Sequence, residues 1–200
     1  MAVTTDKENS KNQIKNFVVL AFLALMVLCY FFVIANRMKP NEDTTVKVSA
    51  VKGILSQNIN SMYPKTPKEV VKFYCEIARC FYAEEYTDDE LVELARMSRQ
   101  LFDDELCANQ TEDNYLRALR AEIASYKSQN KTISSYSVGS SADVEYYNFR
   151  GDEWAQLVAQ YNIRVGTSFS ASNQRFLLRK DASGHWKIFG WEPEEIVNRE

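Results

Sequence analysis

The residues best suited to chemistry are a loose set of carboxylates and phenols. Asp143 and Glu145 offer a base, and Tyr126, Tyr146 and Tyr161 offer neutral hydrogen-bond donors. Proton transfer of the isomerase kind needs such groups together in an apolar pocket. Here Asp143 and Glu145 alternate along a polar strand pattern and read as a solvated face, while the tyrosines read as core or rim residues with wet hydroxyls. His185 is the only histidine and stands beside a turn, which argues against a catalytic triad and against a His-rich metal site. Ser168, Ser170 and Ser172 lack a nucleophile elbow, and no glycine-rich phosphate loop is present. The run Asp103-Asp104-Glu105 has the oxygens for a cation, but a run of this kind near a helix end reads as solvated. No catalytic, cofactor-binding or metal residue is assigned, and no cofactor is expected.

The cysteines add little chemistry. Cys75 and Cys80 are five apart on a helical pattern, which turns them ~140° from each other and prevents a mutual bridge. Cys107 can reach one of them only if two helices pack closely, the spacing matches no zinc pattern, and all three read as small apolar residues. Trp154, Trp186, Phe189 and Trp191 stand out more. Strict alternation puts Trp186 and Ile188 on one face of the last strand, and Lys187, Phe189 and Trp191 on the other. One face would cover the core, leaving the other as a partner surface or pocket wall.

The elements that position these residues follow a long apolar run, Phe17 to Ala35, free of charge, Pro and Gly. As a helix it would extend roughly 28 Å, the thickness of a bilayer's hydrocarbon core. Lys15 and Arg37 bracket it. Its length exceeds a signal-peptide core, although Val33-Ile34-Ala35 resembles a cleavage site, so it reads as an uncleaved single-pass anchor. The expected organisation is a cytoplasmic tail over 1–16, a transmembrane helix over 17–35, a linker or stalk over 36–62, and an extracytoplasmic domain over 63–200. The 200-residue chain carries −3 overall; five basic residues against two acidic ones before residue 40 give +3, so the remainder carries −6. An acidic domain excludes nucleic acid as the expected partner.

Thr66-Pro67-Lys68-Glu69 forms a capping box with proline at the first helical position, ahead of an apolar stripe reaching about Glu85. Thr87 to Glu90 is a second box, before a buried face of Leu91, Leu94, Ala95, Ser98, Leu101 and Phe102. Thr111 caps a third helix, which ends near Gln129. From Lys131 the period falls to two, with strands at Ile133–Val138, Asp143–Phe149 and Ala155–Val165. Gly166 to Asn173 reads as a polar connection, and a final hairpin spans Gln174–Arg179 and His185–Trp191, with Pro193 ending the sheet. Three helices followed by four or five antiparallel strands make an α+β layer.

Phe176-Leu177-Leu178-Arg179-Lys180-Asp181 through Gly184-His185-Trp186-Lys187-Ile188 resembles the closing hairpin of the nuclear transport factor 2-like (cystatin-like α+β) fold. With the Tyr63-Pro64 start and the apolar run, the chain also resembles an uncharacterised family of small single-pass bacterial membrane proteins, mostly from Gram-positive gut anaerobes, with such a domain exported. The resemblance covers about 63–193. It departs from many members of the fold in placing all helices before the sheet. It implies a curved sheet wrapped on the helices, in a fold that hosts isomerases, cyclases and non-enzymatic assembly modules, and fold does not choose among them. The expectation is therefore a membrane-anchored, extracytoplasmic binding or assembly module without catalysis. Its expected partners are the lipid bilayer through Phe17 to Ala35 and a protein at the cell envelope. The alternatives are a small-ligand or isomerase/cyclase-like pocket protein, and a component of a secretion or conjugation complex.

Overall fold

Thr66 and Thr87 organise the helical layer as their sequence context dictates: each hydroxyl accepts from the backbone N–H three residues on, and Glu69 or Glu90 reaches back to the cap. The computed structural model describes residues 49–194. These comprise helices α1 (Ala50–Leu55), α2 (Pro67–Ala83), α3 (Asp88–Gln100), α4 (Asp104–Asn109) and α5 (Glu112–Ser128). Five strands follow: β1 (Lys131–Val138), β2 (Glu145–Phe149), β3 (Asp152–Val165), β4 (Ser168–Lys180) and β5 (Trp186–Glu194). All pairings between named strands are antiparallel, in the order β1-β3-β4-β5, with β2 also paired to β3. The fold is α+β, with helices packed on one face of an antiparallel sheet.

α2 is the central helix. Its Val70, Cys75, Ile77 and Phe81 are buried, and they meet Ala155, Leu157, Phe176, Leu178 and Ile188 from the sheet in one apolar cluster. β1 and β2 run along the same side of β3, β1 against Ala159–Val165 and β2 against Asp152–Gln156. A short 3-10 turn, Ser141–Asp143, interrupts them. β2 and β3 are joined by Arg150 and Gly151 at φ 53° and 92°, the two left-handed residues of a type I′ hairpin.

Several expectations are corrected. The architecture read from the sequence opened on a membrane-spanning helix; among the described residues no helix is long and apolar enough to cross a membrane. The run 17–35 and the tail 1–16 lie outside the described residues. The stretch read as the end of a linker or stalk instead joins the core: Val51, Ile54 and Ile59 are buried in its apolar cluster. Leu101 and Phe102 do not continue α3. They run beside β5, with Ile188 N–H donating to the Leu101 carbonyl at 2.8 Å and Asp103 N–H to the Ile188 carbonyl at 2.8 Å. Asp143 belongs to the 3-10 turn rather than a strand.

The segment Gly166–Asn173 is not a connection: Ser168 pairs with Val165 across a two-residue turn, and β4 runs unbroken to Lys180. Nor does Pro193 end the sheet; it pairs with Gln174 on the β5 edge, where a missing N–H is tolerated. One irregularity reverses a face. Leu178 pairs with Ile188 but Leu177 with Gly190, leaving Phe189 as an extra residue. Trp191 therefore crosses to the helix side, with its ring 5.3 Å from Tyr74 and 5.7 Å from Phe102.

Candidate functional site

The Phe189 bulge divides the aromatics into an inner and an outer set. Trp186, buried, and Trp191, partly exposed, lie on the helix side, while Phe189 stays on the sheet face away from the helices, with its ring 5.0 Å from Trp154. Trp154 is cross-strand neighbour to Tyr147 on one side and Arg179 on the other. Its indole N–H donates to the Phe149 carbonyl at 3.1 Å. These side chains, with Leu177, line an open groove of about 570 Å³ whose rim carries Glu105, Arg150 and Asp152. Trp154 is only 8% exposed, whereas Tyr147 and Phe149 are 40% and 52% exposed. Trp154 is thus the floor, and the two β2 aromatics are walls open to solvent.

Arg179 fixes the groove's far side. Its guanidinium lies 5.5 Å from the Trp154 ring and 5.2 Å from the Phe189 ring. It donates to Asp103 through Nε at 3.1 Å and Nη2 at 2.6 Å, and to Glu105 through Nη1 at 2.8 Å. These carboxylates hold its pKa above the ordinary arginine value, hydrogen bonding first and charge second. Asp103, buried, also accepts from the Glu105 N–H at 3.0 Å as the cap of α4. The acidic run considered as a cation site is therefore a helix cap and an arginine clamp. Among the described residues no group of His, Cys, Asp and Glu is placed to hold a metal ion.

The carboxylate-and-phenol set is not brought together. Asp143 accepts from the Ser140 N–H at 2.8 Å, and Glu145 accepts from the Gln156 amide. Tyr146 is exposed beside Trp186. Tyr161 lies six residues along β3 from the partner of Tyr146, about 20 Å by strand rise. Its hydroxyl is 3.1 Å from the Cys75 sulfur, in the core. Tyr126 stacks on Tyr82 at 4.4 Å and lines a small cavity of about 90 Å³; Tyr82 and Glu122 line both this cavity and a second of about 210 Å³. Burial raises the pKa values of Tyr82, Tyr126 and Tyr161, so these phenols stay protonated. The Glu122 residue is exposed.

His185 sits on the Tyr63 ring at 4.4 Å beside the β4–β5 turn. Ser168, Ser170 and Ser172 are strand residues on β4. Cys75, Cys80 and Cys107 are free thiols, with Cys75 pushed up to about 12 and Cys80 to about 11, in both cases chiefly by burial. The sequence reading missed Tyr147, Phe149, Arg150 and Arg179. The available signal was Phe149-Arg150-Gly151-Asp152, whose glycine marks a tight hairpin that projects the β2 aromatics beside Trp154.

The chain matches the family model described as Domain of unknown function (DUF6715) over residues 6–191 and belongs to that family. No curated protein matches it at a significant level.

Proposed function

We propose that this member of the DUF6715 family is a non-catalytic binding module that receives a protein partner on the outer face of its sheet. The observation that carries the reading is the aromatic groove of Tyr147, Phe149, Trp154 and Phe189, on the face opposite the helices. Exposed aromatics over a buried tryptophan, flanked by arginines, have the composition of binding hot spots. The helices-on-sheet layer is in keeping with the resemblance to nuclear transport factor 2-like modules. A pocket enzyme built on the inner tyrosine cluster is disfavoured by the small cavities there, each below the ~300 Å³ at which ligand pockets begin. It is also disfavoured by the exposure of Glu122, which leaves the tyrosine cluster without a buried base.

The test is photo-crosslinking in the native host. A benzophenone amino acid replaces Tyr147 in one strain and Phe169, a still more exposed aromatic on the distal part of β4, in another. Discrete adducts from position 147 and none from 169 are expected. Equal adducts from both positions, or none from 147, would remove the support for this face.

A further inference from the structure

The groove borders a strand edge that nothing among the described residues covers. On the opposite border, the backbone of 101–103 bonds to β5 at Ile188. β2 pairs with β3 alone, and all five of its residues are exposed. The two-residue turn makes Phe149 and Asp152 a hydrogen-bonded pair, so alternation makes Tyr147 and Trp154 the next one. The N–H and C=O groups of Tyr146 and Asn148 then point to the open edge. Proteins protect such edges with lysine, proline or bulges. Glu145-Tyr146-Tyr147-Asn148-Phe149 has no lysine or proline and pairs in unbroken register.

Resting on the binding reading above, we propose that β2 accepts an added strand from a partner: an extended segment in which basic residues alternate with apolar ones. Backbone pairing to Tyr146 and Asn148 would supply affinity. Every second side chain would then fall on the face of Tyr147 and Phe149. The choice of a basic segment follows from charge. Asp103, Glu105, Glu145 and Asp152 place four carboxylates at the edge and groove against two cations, Arg179, which pairs with Asp103, Glu105 and Asp152, and Arg150, which has no ion pair among the described residues; the balance is −2. The aromatic walls already accept guanidinium groups, since Arg150 lies 5.1 Å from the Phe149 ring and Arg179 lies against both Trp154 and Phe189.

The probe is the peptide acetyl-Thr-Lys-Val-Arg-Val-Lys-Thr-amide, titrated into the full chain at low ionic strength. Two controls accompany it, a glutamate-for-cation version and a version N-methylated at alternate amides on either edge. Binding by the basic peptide is expected, with slowed hydrogen exchange at Tyr146 and Asn148. N-methylation on the pairing edge, or Asn148→Pro, should weaken it about tenfold by deleting edge hydrogen bonds. The N-methylated peptides keep the test valid if Asn148→Pro unfolds the chain. Equal binding of the acidic peptide overturns the basic-segment proposal, as does no binding of the basic one up to ~1 mM. Loss with Phe149→Ser but indifference to N-methylation overturns strand addition while leaving the aromatic-face reading intact. Protection of Tyr146 and Asn148 that rises with protein concentration alone assigns the edge to a second copy of this chain, and also overturns it.

Discussion

Asp103→Ala should be among the most damaging single substitutions available, although Asp103 lies far in sequence from the strand it holds. Its carboxylate, only 3% exposed, takes two hydrogen bonds from Arg179 and caps α4. Breaking one partner of a buried ion pair costs about 3–5 kcal/mol. The lower end applies, because the Arg179 side chain is 19% exposed and keeps Glu105 at 2.8 Å. Loss of the cap adds about 1 kcal/mol. The total is about 4 kcal/mol, and with a urea slope of about 2 kcal/mol/M the midpoint should fall by about 2 M. Equilibrium urea unfolding, followed by tryptophan fluorescence, measures it. The cycle with Arg179→Met should show a coupling of about 2 kcal/mol. A loss below ~1 kcal/mol, or additive single effects within ~0.5 kcal/mol, would refute the claim that the pair clamps α4 to the sheet.

Three further outcomes follow from the geometry. Cys75 and Cys80 keep their protons in the folded state to about 12 and about 11, whereas an unfolded thiol releases its proton near 9. The folded values are raised, so their contribution to stability is complete below about pH 9 and is lost as pH rises through about 11 to 12. Unfolding midpoints at pH 8 and pH 10.5 should show that fall, and a maleimide at pH 8 should label Cys107 before either buried thiol. Gly151→Ala forces an L-residue to φ 92° in the β2–β3 turn and should cost about 1 kcal/mol or more; thermal unfolding measures it, and an unchanged midpoint would contradict the turn assignment.

The helical layer was legible because its punctuation is local. Thr66, Pro67 and Glu69, and then Thr87 and Glu90, each lie within four residues, and both boxes form as read. α1 was harder, since six residues with a central Gly53 give too short a period to separate a core helix from a stalk. The first half of β4 was hidden for another reason. Ser168-Phe169-Ser170-Ala171-Ser172-Asn173 alternates only one large apolar residue and an alanine with serines, no apolar face to bury, and is held as a strand by its pairing to β3. The sides of the last strand were misassigned because one bulged residue reverses the parity of everything after it. The site suffered most. Asp103 and Arg179 are 76 residues apart, and only the passage of 101–103 along β5 brings them together. Trp154 and Phe189 were flagged by type, and of the residues read as one face of the last strand, a partner surface or pocket wall, Phe189 lies on the face that carries the groove. Tyr147 and Phe149 were taken for ordinary strand residues, because periodicity does not reveal that β2 is an open edge.

The measurement closest to the central claim is the yield of the crosslinked adduct from position 147 in cells carrying Phe149→Ser. Phe149 is half exposed, so the substitution should leave the unfolding midpoint nearly unchanged while removing a wall of the groove. Loss of the adduct at an unaltered midpoint is expected. An adduct of full yield, or a loss that only tracks a fallen midpoint, would contradict it.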